Sequence, residues 1–227
     1  MDVRLDNQVA IVTGAGKGGG AAIAQALAAA GARVAVNDIN PDRAHGVTQT
    51  IVDAGGEALA IQADVANKFQ CVKLVEATRA EWGRLDILVN YAHVAPTSTI
   101  LKLDEWDWTR CLDVNLKGVF FMSQLCGRVM DDQKEGGAIV NVVSTAGVSA
   151  PRPQQAAFCA SQAAVVGFAR ECAREYAAYG ISVDTVIGDD PDPSALAETV
   201  LTLCAGERRN RPLGGRTVTI DGSPIMQ

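Results

Sequence analysis

A run of glycines between an apolar strand and an apolar helix constrains this chain more than any other stretch. Within Gln8 to Leu27, Val9 to Val12 read as a buried strand, and Thr13 and Gly14 end it. Gly16, Gly18, Gly19 and Gly20 leave a turn almost without side chains. Ile23, Ala24, Leu27 and Ala28 then recur at helical spacing, and Gly31 closes the helix. A strand, a bare turn and a helix start make an anion site, because N–H groups and the positive end of the helix dipole point at one place. Glycines let the backbone approach a pyrophosphate closely. A second apolar run, Arg33 to Asn37, ends at Asp38, 18 residues after Gly20. A carboxylate there suits a ribose hydroxyl and repels a 2′-phosphate, which favours NAD over NADP. The ATP-type phosphate loop does not fit: Gly18, not Ser or Thr, follows Lys17, and no glycine stands five residues before Gly16.

Apolar strand runs alternate with helical periodicity through the rest of the chain, which predicts a parallel sheet covered on both faces. Asn40 and Pro41 open a second helix that Gly55 closes. Strands are expected at Glu57 to Gln62, Asp86 to Asn90, Ala138 to Val143, Ile181 to Val186 and Thr217 to Ile220. Asp64-Val65 sits just past the third strand, where an adenine ring can rest. Val72, Val75 and Trp82 mark a third helix. Asp104 to Met130 reads as one long helix, Gln154 to Tyr179 as a second, and Ser194 to Cys204 as a shorter one. The expectation is a single α/β domain over 1–227, doubly wound on a seven-stranded parallel sheet.

Composition narrows the function. At 227 residues and 48% hydrophobic, the chain can bury one sizeable core. A net charge of −6 argues against nucleic acid or an anionic membrane as partner. The absence of a signal pattern or long apolar segment points to a soluble, cytoplasmic protein. Six cysteines in apolar contexts, without a C-x-x-C pair, read as reduced core residues. With only His45 and His93, no histidine-based metal site is expected. Trp106 and Trp108 flank the start of the long helix and read as half-buried packing, with a partner contact as the alternative.

Several motifs in order resemble the short-chain dehydrogenase/reductase family along essentially the whole chain. They are TGAGKGGG at 13–20, Asp38, Asp64-Val65, LDILVN at 85–90, DVNLKG at 113–118, IVNVVSTAG at 139–147, ASQAAVVGFAR at 160–170 and GRTVTIDGS at 215–223. The resemblance implies a Rossmann sheet, assembly through the two long helices, and an NAD site of Gly14, Gly18, Gly20, Asp38, Asp64, Val65 and Asn90. It also implies chemistry by an Asn, a Ser, a Tyr and a Lys. Asn115 and Ser144 match the first two, but the Tyr-x-x-x-Lys segment aligns with Phe158-Cys-Ala-Ser-Gln162.

Those two departures matter most. Phenylalanine has no titratable proton, and losing a positioned general acid costs about 10²–10⁴ in rate. Gln162 can hydrogen-bond a ribose hydroxyl, yet brings no charge to lower a neighbour's pKa. Asn115 and Ser144 then read as structural survivors, Asn115 bridging helix and sheet and Ser144 satisfying a turn. The family's Asn-Asn-Ala-Gly stands here as Asn90-Tyr91-Ala92-His93, so two compact cofactor-lining residues have become rings. Its Pro-Gly reads Ile187-Gly188, and the substrate lid is shortened to 188–194. Without a lid, a site neither excludes water nor encloses a substrate.

Three functional classes stay open on the residues. The first is a catalytically degenerate subunit that joins an active homologous subunit, as a heterotetramer, in an NAD-dependent dehydrogenase acting on a CoA-linked alcohol. The second is an active dehydrogenase with His93 or Cys159 as the acid. The third is a module that binds NAD(H) without reacting.

Overall fold

Apolar runs at Val9–Val12 and Ile87–Asn90, buried throughout, set the middle of the core, as strands covered on both faces require. The computed structural model describes residues 3–150, 152–189, 192–205 and 215–220. The strands are β1 (Val9–Val12), β2 (Arg33–Asp38), β3 (Ala58–Gln62), β4 (Ile87–Asn90), β5 (Gly137–Val143), β6 (Ile181–Ile187) and β7 (Thr217–Thr219). They form one parallel sheet in the order β3-β2-β1-β4-β5-β6-β7. In register, Val12 lies beside Val36 on one side and Val89 on the other. Strand order reverses between β1 and β4, and that reversal opens a crevice at their carboxyl ends.

Helices α1 (Gly18–Ala29), α2 (Pro41–Asp53) and α7 (Pro193–Cys204) cover one face. There Ile23, Leu27, Leu196 and Val200 pack on Val12, Val34 and Val89. On the other face lie α3 (Lys68–Trp82), α5 (Gly118–Gln133) and α6 (Ala156–Tyr176), with α4 (Glu105–Leu112) leading into α5. Leu74, Met122, Met130 and Ala169 fill that side against Ile11, Leu88 and Ile139. Side-chain caps fix four helix starts: Asn40 on α2, Asn67 on α3, Asp104 on α4 and Asp192 on α7. Asp86, fully buried at the foot of β4, accepts the Val9 N–H at 2.9 Å and pairs with Arg84 at 2.9 Å, which ties β1 to β4.

Three expectations need correction. The helix read as continuous from 104 to 130 is interrupted by a π turn, Asp113–Lys117, between α4 and α5. Apolar periodicity does not register one extra residue, but side-chain bonding does: Asn115 turns inward from that turn. The second long helix starts at Ala156, because Gln154 adopts φ +62, and it ends in a 3-10 turn at Ala177–Tyr179. Trp106 is 72% exposed, so half-buried packing fails for it, although Trp108 at 38% approaches that reading. Asp190 and Pro191 of the shortened lid, and 221–223 of the last motif, lie outside the described residues.

Candidate functional site

The crevice at the β1/β4 reversal is a cleft of about 630 Å³. Its floor is the glycine turn. Gly14 needs its positive φ of +65, and a Cβ there would stand 2.7 Å from Ala92 Cα. Gly20 allows the turn to close, since its Cβ would lie 2.5 Å from the Gly14 carbonyl oxygen and 2.7 Å from the Tyr91 ring. No side chain caps the start of α1. A helix start bordered by glycines is the place where a phosphate site is built in this fold class.

Asp38 ends β2 at the cleft wall, 6% exposed. Its Oδ2 accepts the Gly16 N–H at 3.1 Å and its Oδ1 the Asn40 N–H at 2.9 Å, so glycine turn and carboxylate hold each other in place. Asp64 and Val65 line the next stretch. The Asp64 carboxylate pairs with Arg110 at 2.9 Å and accepts the Ala66 N–H at 3.0 Å. Lys17 and Arg43 also reach this cleft. Of the cofactor residues expected from the sequence, Gly14, Gly18, Asp38, Asp64 and Val65 line it, whereas Gly20 sits beneath it as packing. Asn90 does not line it: buried, it donates to Asn141 Oδ1 at 2.9 Å and Ser123 Oγ at 3.3 Å.

A second cavity, about 160 Å³, adjoins the first, and Tyr91, His93 and Ala95 wall both. Ser144, Phe158 and Gln162 meet there. Phe158 is 3% exposed and packs with Cys111, Ala146 and Ala157. The His93 ring lies 5.9 Å from it and 5.4 Å from the Tyr91 ring, so three rings run in a row from the glycine turn to position 158. The polar groups are spent on one another. Gln162 Oε1 accepts the Ser144 N–H at 2.8 Å, and Ser144 Oγ accepts the Ala146 N–H at 3.1 Å while donating to Asp189 Oδ1 at 2.5 Å. Asn115 Oδ1 accepts the Val94 N–H at 2.8 Å, and its Nδ2 donates to Val94 O and to Ser161 Oγ, each at 2.9 Å.

Three of the thiols are disfavoured as nucleophiles by their burial. Burial pushes Cys71 and Cys172 up to about 11, and Cys126 higher still, which keeps those thiols protonated and weakly nucleophilic. No group of three or more metal-ligating side chains occurs among the described residues, and no helix there is long and apolar enough to cross a membrane.

Sequence reasoning missed Arg110, Thr145, Arg152 and Asp189, all of which shape the two cavities. Each acts through a partner distant in sequence, as with Asp189 and Ser144, 45 residues apart. No local motif carries such a signal.

The parallel sheet, the bare turn before α1 and the acid closing β2 define a Rossmann fold, the class in which dinucleotides are commonly bound at such a turn. More narrowly, the chain belongs to the short-chain dehydrogenase/reductase family: the short chain dehydrogenase family model matches residues 8–190. It is 35% identical to a 3-oxoacyl-[acyl-carrier-protein] reductase of Synechocystis, over 98% of each chain. A D-threitol dehydrogenase of Mycolicibacterium smegmatis is 41% identical over 82% of this chain and 71% of its own. Among solved structures, a short chain dehydrogenase from Mycobacterium avium superposes with a TM-score of 0.88 at 29% identity, covering 97% of this chain and 85% of that one. The family's NAD(P) fits the larger cleft at its adenosine end, where Asp38, Asp64 and the glycine turn would hold it. At the other end stand the rings of Tyr91, His93 and Phe158.

Proposed function

We propose that this chain is the non-catalytic member of a two-subunit, NAD-dependent short-chain dehydrogenase, and that an active homologous subunit carries the chemistry. One observation carries this reading: the position of the family's acid holds a buried hydrocarbon ring, Phe158, beside a serine and a glutamine already bonded to one another. The phenol and cation that do reach the smaller cavity, Tyr91 and Arg152, stand elsewhere than positions 158 and 162, with Arg152 paired to Asp189, and a hydride transfer to or from a carbonyl needs a proton to move with it. What the family fold retains is core, cleft and long helices.

Assembly through 104–130 and 154–179 is supported by an apolar groove between α5 and α6. Leu116, Phe120 and Phe168 line it, with Phe120 39% exposed and set edge-on to Phe168 at 6.2 Å. An exposed aromatic cluster is what an interface anchor looks like. The complex we infer is a heterotetramer that oxidises the hydroxyl of a CoA thioester. The chain resembles the subunit lacking the catalytic pair in the 2-[hydroxy(phenyl)methyl]succinyl-CoA dehydrogenase of anaerobic toluene degradation, a step of β-oxidation type. Asp38 supports NAD as its nucleotide, and the open adenosine end supports binding in this chain without turnover.

The test is the native mass of the complex from source cells, with both chains identified. A second dehydrogenase-like chain at fixed stoichiometry is the expected result, and a homogeneous homo-oligomer rules the reading out. A second reading, an active dehydrogenase, is favoured by the His93 ring beside Phe158 and by the activities named for the relatives. It requires the isolated chain to oxidise an alcohol, with a pH profile that His93→Gln abolishes.

A further inference from the structure

The densest polar cluster outside the nucleotide cleft lies at the edge of the smaller cavity. Ser144 Oγ donates to Asp189 Oδ1 at 2.5 Å, Thr145 Oγ1 donates to Oδ2, and Arg152 Nη2 stands 2.8 Å from Oδ1. The three donors come from the end of β5, the 3-10 turn after it and the segment before α6. They converge on both oxygens of a single carboxylate.

Two of these donors are held in place without Asp189. Ser144 is fixed through its N–H on Gln162 and through the Ala146 N–H on its hydroxyl, and Thr145 belongs to the turn that Ser144 caps. On the other side, the Gly188 N–H bonded to Val143 O at 2.9 Å positions the chain just ahead of Asp189. Two hydroxyls and a guanidinium form a charge-assisted set whose natural partner is a carboxylate. Burial pushes the Asp189 carboxyl up, but the bonds from Ser144, Thr145 and Arg152 outweigh it and hold it below the ordinary carboxylate range.

We propose that Ser144, Thr145 and Arg152 form a carboxylate receptor, which this chain fills with its own Asp189. Self-occupancy removes the Ser144 hydroxyl from any incoming ligand. A ligand that displaced Asp189 would have to be a carboxylate or a comparable planar oxyanion. The inference does not rest on the two-subunit reading, because it concerns only who occupies these donors.

The experiment is chemical rescue. Asp189→Gly is melted in formate, and in chloride at equal ionic strength, at pH 7. The variant is expected to melt about 2–4 °C below wild type, the shift that follows from about 1 kcal/mol in a chain of this size. Formate at 100 mM (about 0.1 M, far above millimolar affinity) restores at least half of that loss. Chloride does not, wild type responds to neither, and Asp189→Gly with Arg152→Gln loses the formate response. A second readout needs no destabilised variant: carbon NMR of the Asp189 carboxyl in wild type shows it titrating below the ordinary range, and Arg152→Gln moves it up. Formate acting no better than chloride overturns the proposal. So does an Asp189 carboxyl that titrates in the ordinary range. The native mass of the complex is unaffected either way, so this failure and failure of the two-subunit reading are told apart.

Discussion

The two cavities that meet at Tyr91 and His93 have opposite chemistry. In the larger one, about 630 Å³, the backbone and Arg110 hold Asp38 and Asp64 in place, and the side chains of Lys17 and Arg43 border the open cleft. In the smaller, about 160 Å³, nearly every polar group is turned onto a neighbour: Ser144 on Asp189 and Gln162, Thr145 and Arg152 on Asp189. Both are built on carboxyl ends of strands in one sheet, so topology does not separate them. The difference lies in whether the donors have internal partners. A binding site is a set of hydrogen-bonding groups that the fold leaves unfinished, and here the fold has finished one set and not the other.

The largest effect should come from reopening the closed side. Phe158→Tyr with Gln162→Lys is expected to give no detectable alcohol oxidation by the isolated chain, since Asp189 still holds the Ser144 hydroxyl. Adding Asp189→Gly frees that hydroxyl and is expected to bring NADH production above the detection limit. Steady-state absorbance at saturating NAD⁺ checks it, and full activity in the double variant alone would erase the contrast between the cavities.

A middle-sized effect tests the open side. If only its adenosine end engages nucleotide, ADP-ribose and NAD⁺ bind with Kd values within about threefold of each other, a difference of about 0.6 kcal/mol. Asp38→Asn weakens both together by about tenfold, as loss of a charged acceptor implies. Isothermal titration calorimetry reads both. A Kd for NAD⁺ far below that for ADP-ribose would mean that the ring-lined end binds after all.

The smallest effect is in pH. Asp189 has a folded-state pKa held below its unfolded value, so its contribution to stability is present above the ordinary carboxylate range. It is lost as pH falls through the depressed value. The melting difference between wild type and Asp189→Asn should therefore be constant near neutrality and shrink in acid. Arg152 is the charged group paired with Asp189.

Most of the architecture was legible because the central strands, such as Val9–Val12, are short apolar runs and because glycine turns and cap residues punctuate them. Strand ends read from Val9, Arg33 and Gln62 agree with the structure to within a residue. The π turn was not legible, since its cause is the bonding of Asn115 to Val94 and Ser161, which periodicity does not carry. In the site, Phe158 and Gln162 stood out as departures from a motif. What surrounds them did not: Asp189 meets Ser144 only because β5 and β6 are neighbours in the sheet, with Val143 beside Ile187. Gly-Asp-Asp-Pro-Asp-Pro was visible as a short loop, but nothing local marks Asp189 as the partner of Ser144.

Asn115 has a wider implication. Its amide is taken up by the Val94 backbone on one side and by Ser161 and Cys111 on the other, with 2% of its surface exposed. Replacing it would leave several buried partners unanswered, so purifying pressure on folding alone would preserve it through any length of time without turnover. The letter alone would therefore not tell a working tool from a rivet, since the bonding of this asparagine suffices to keep it.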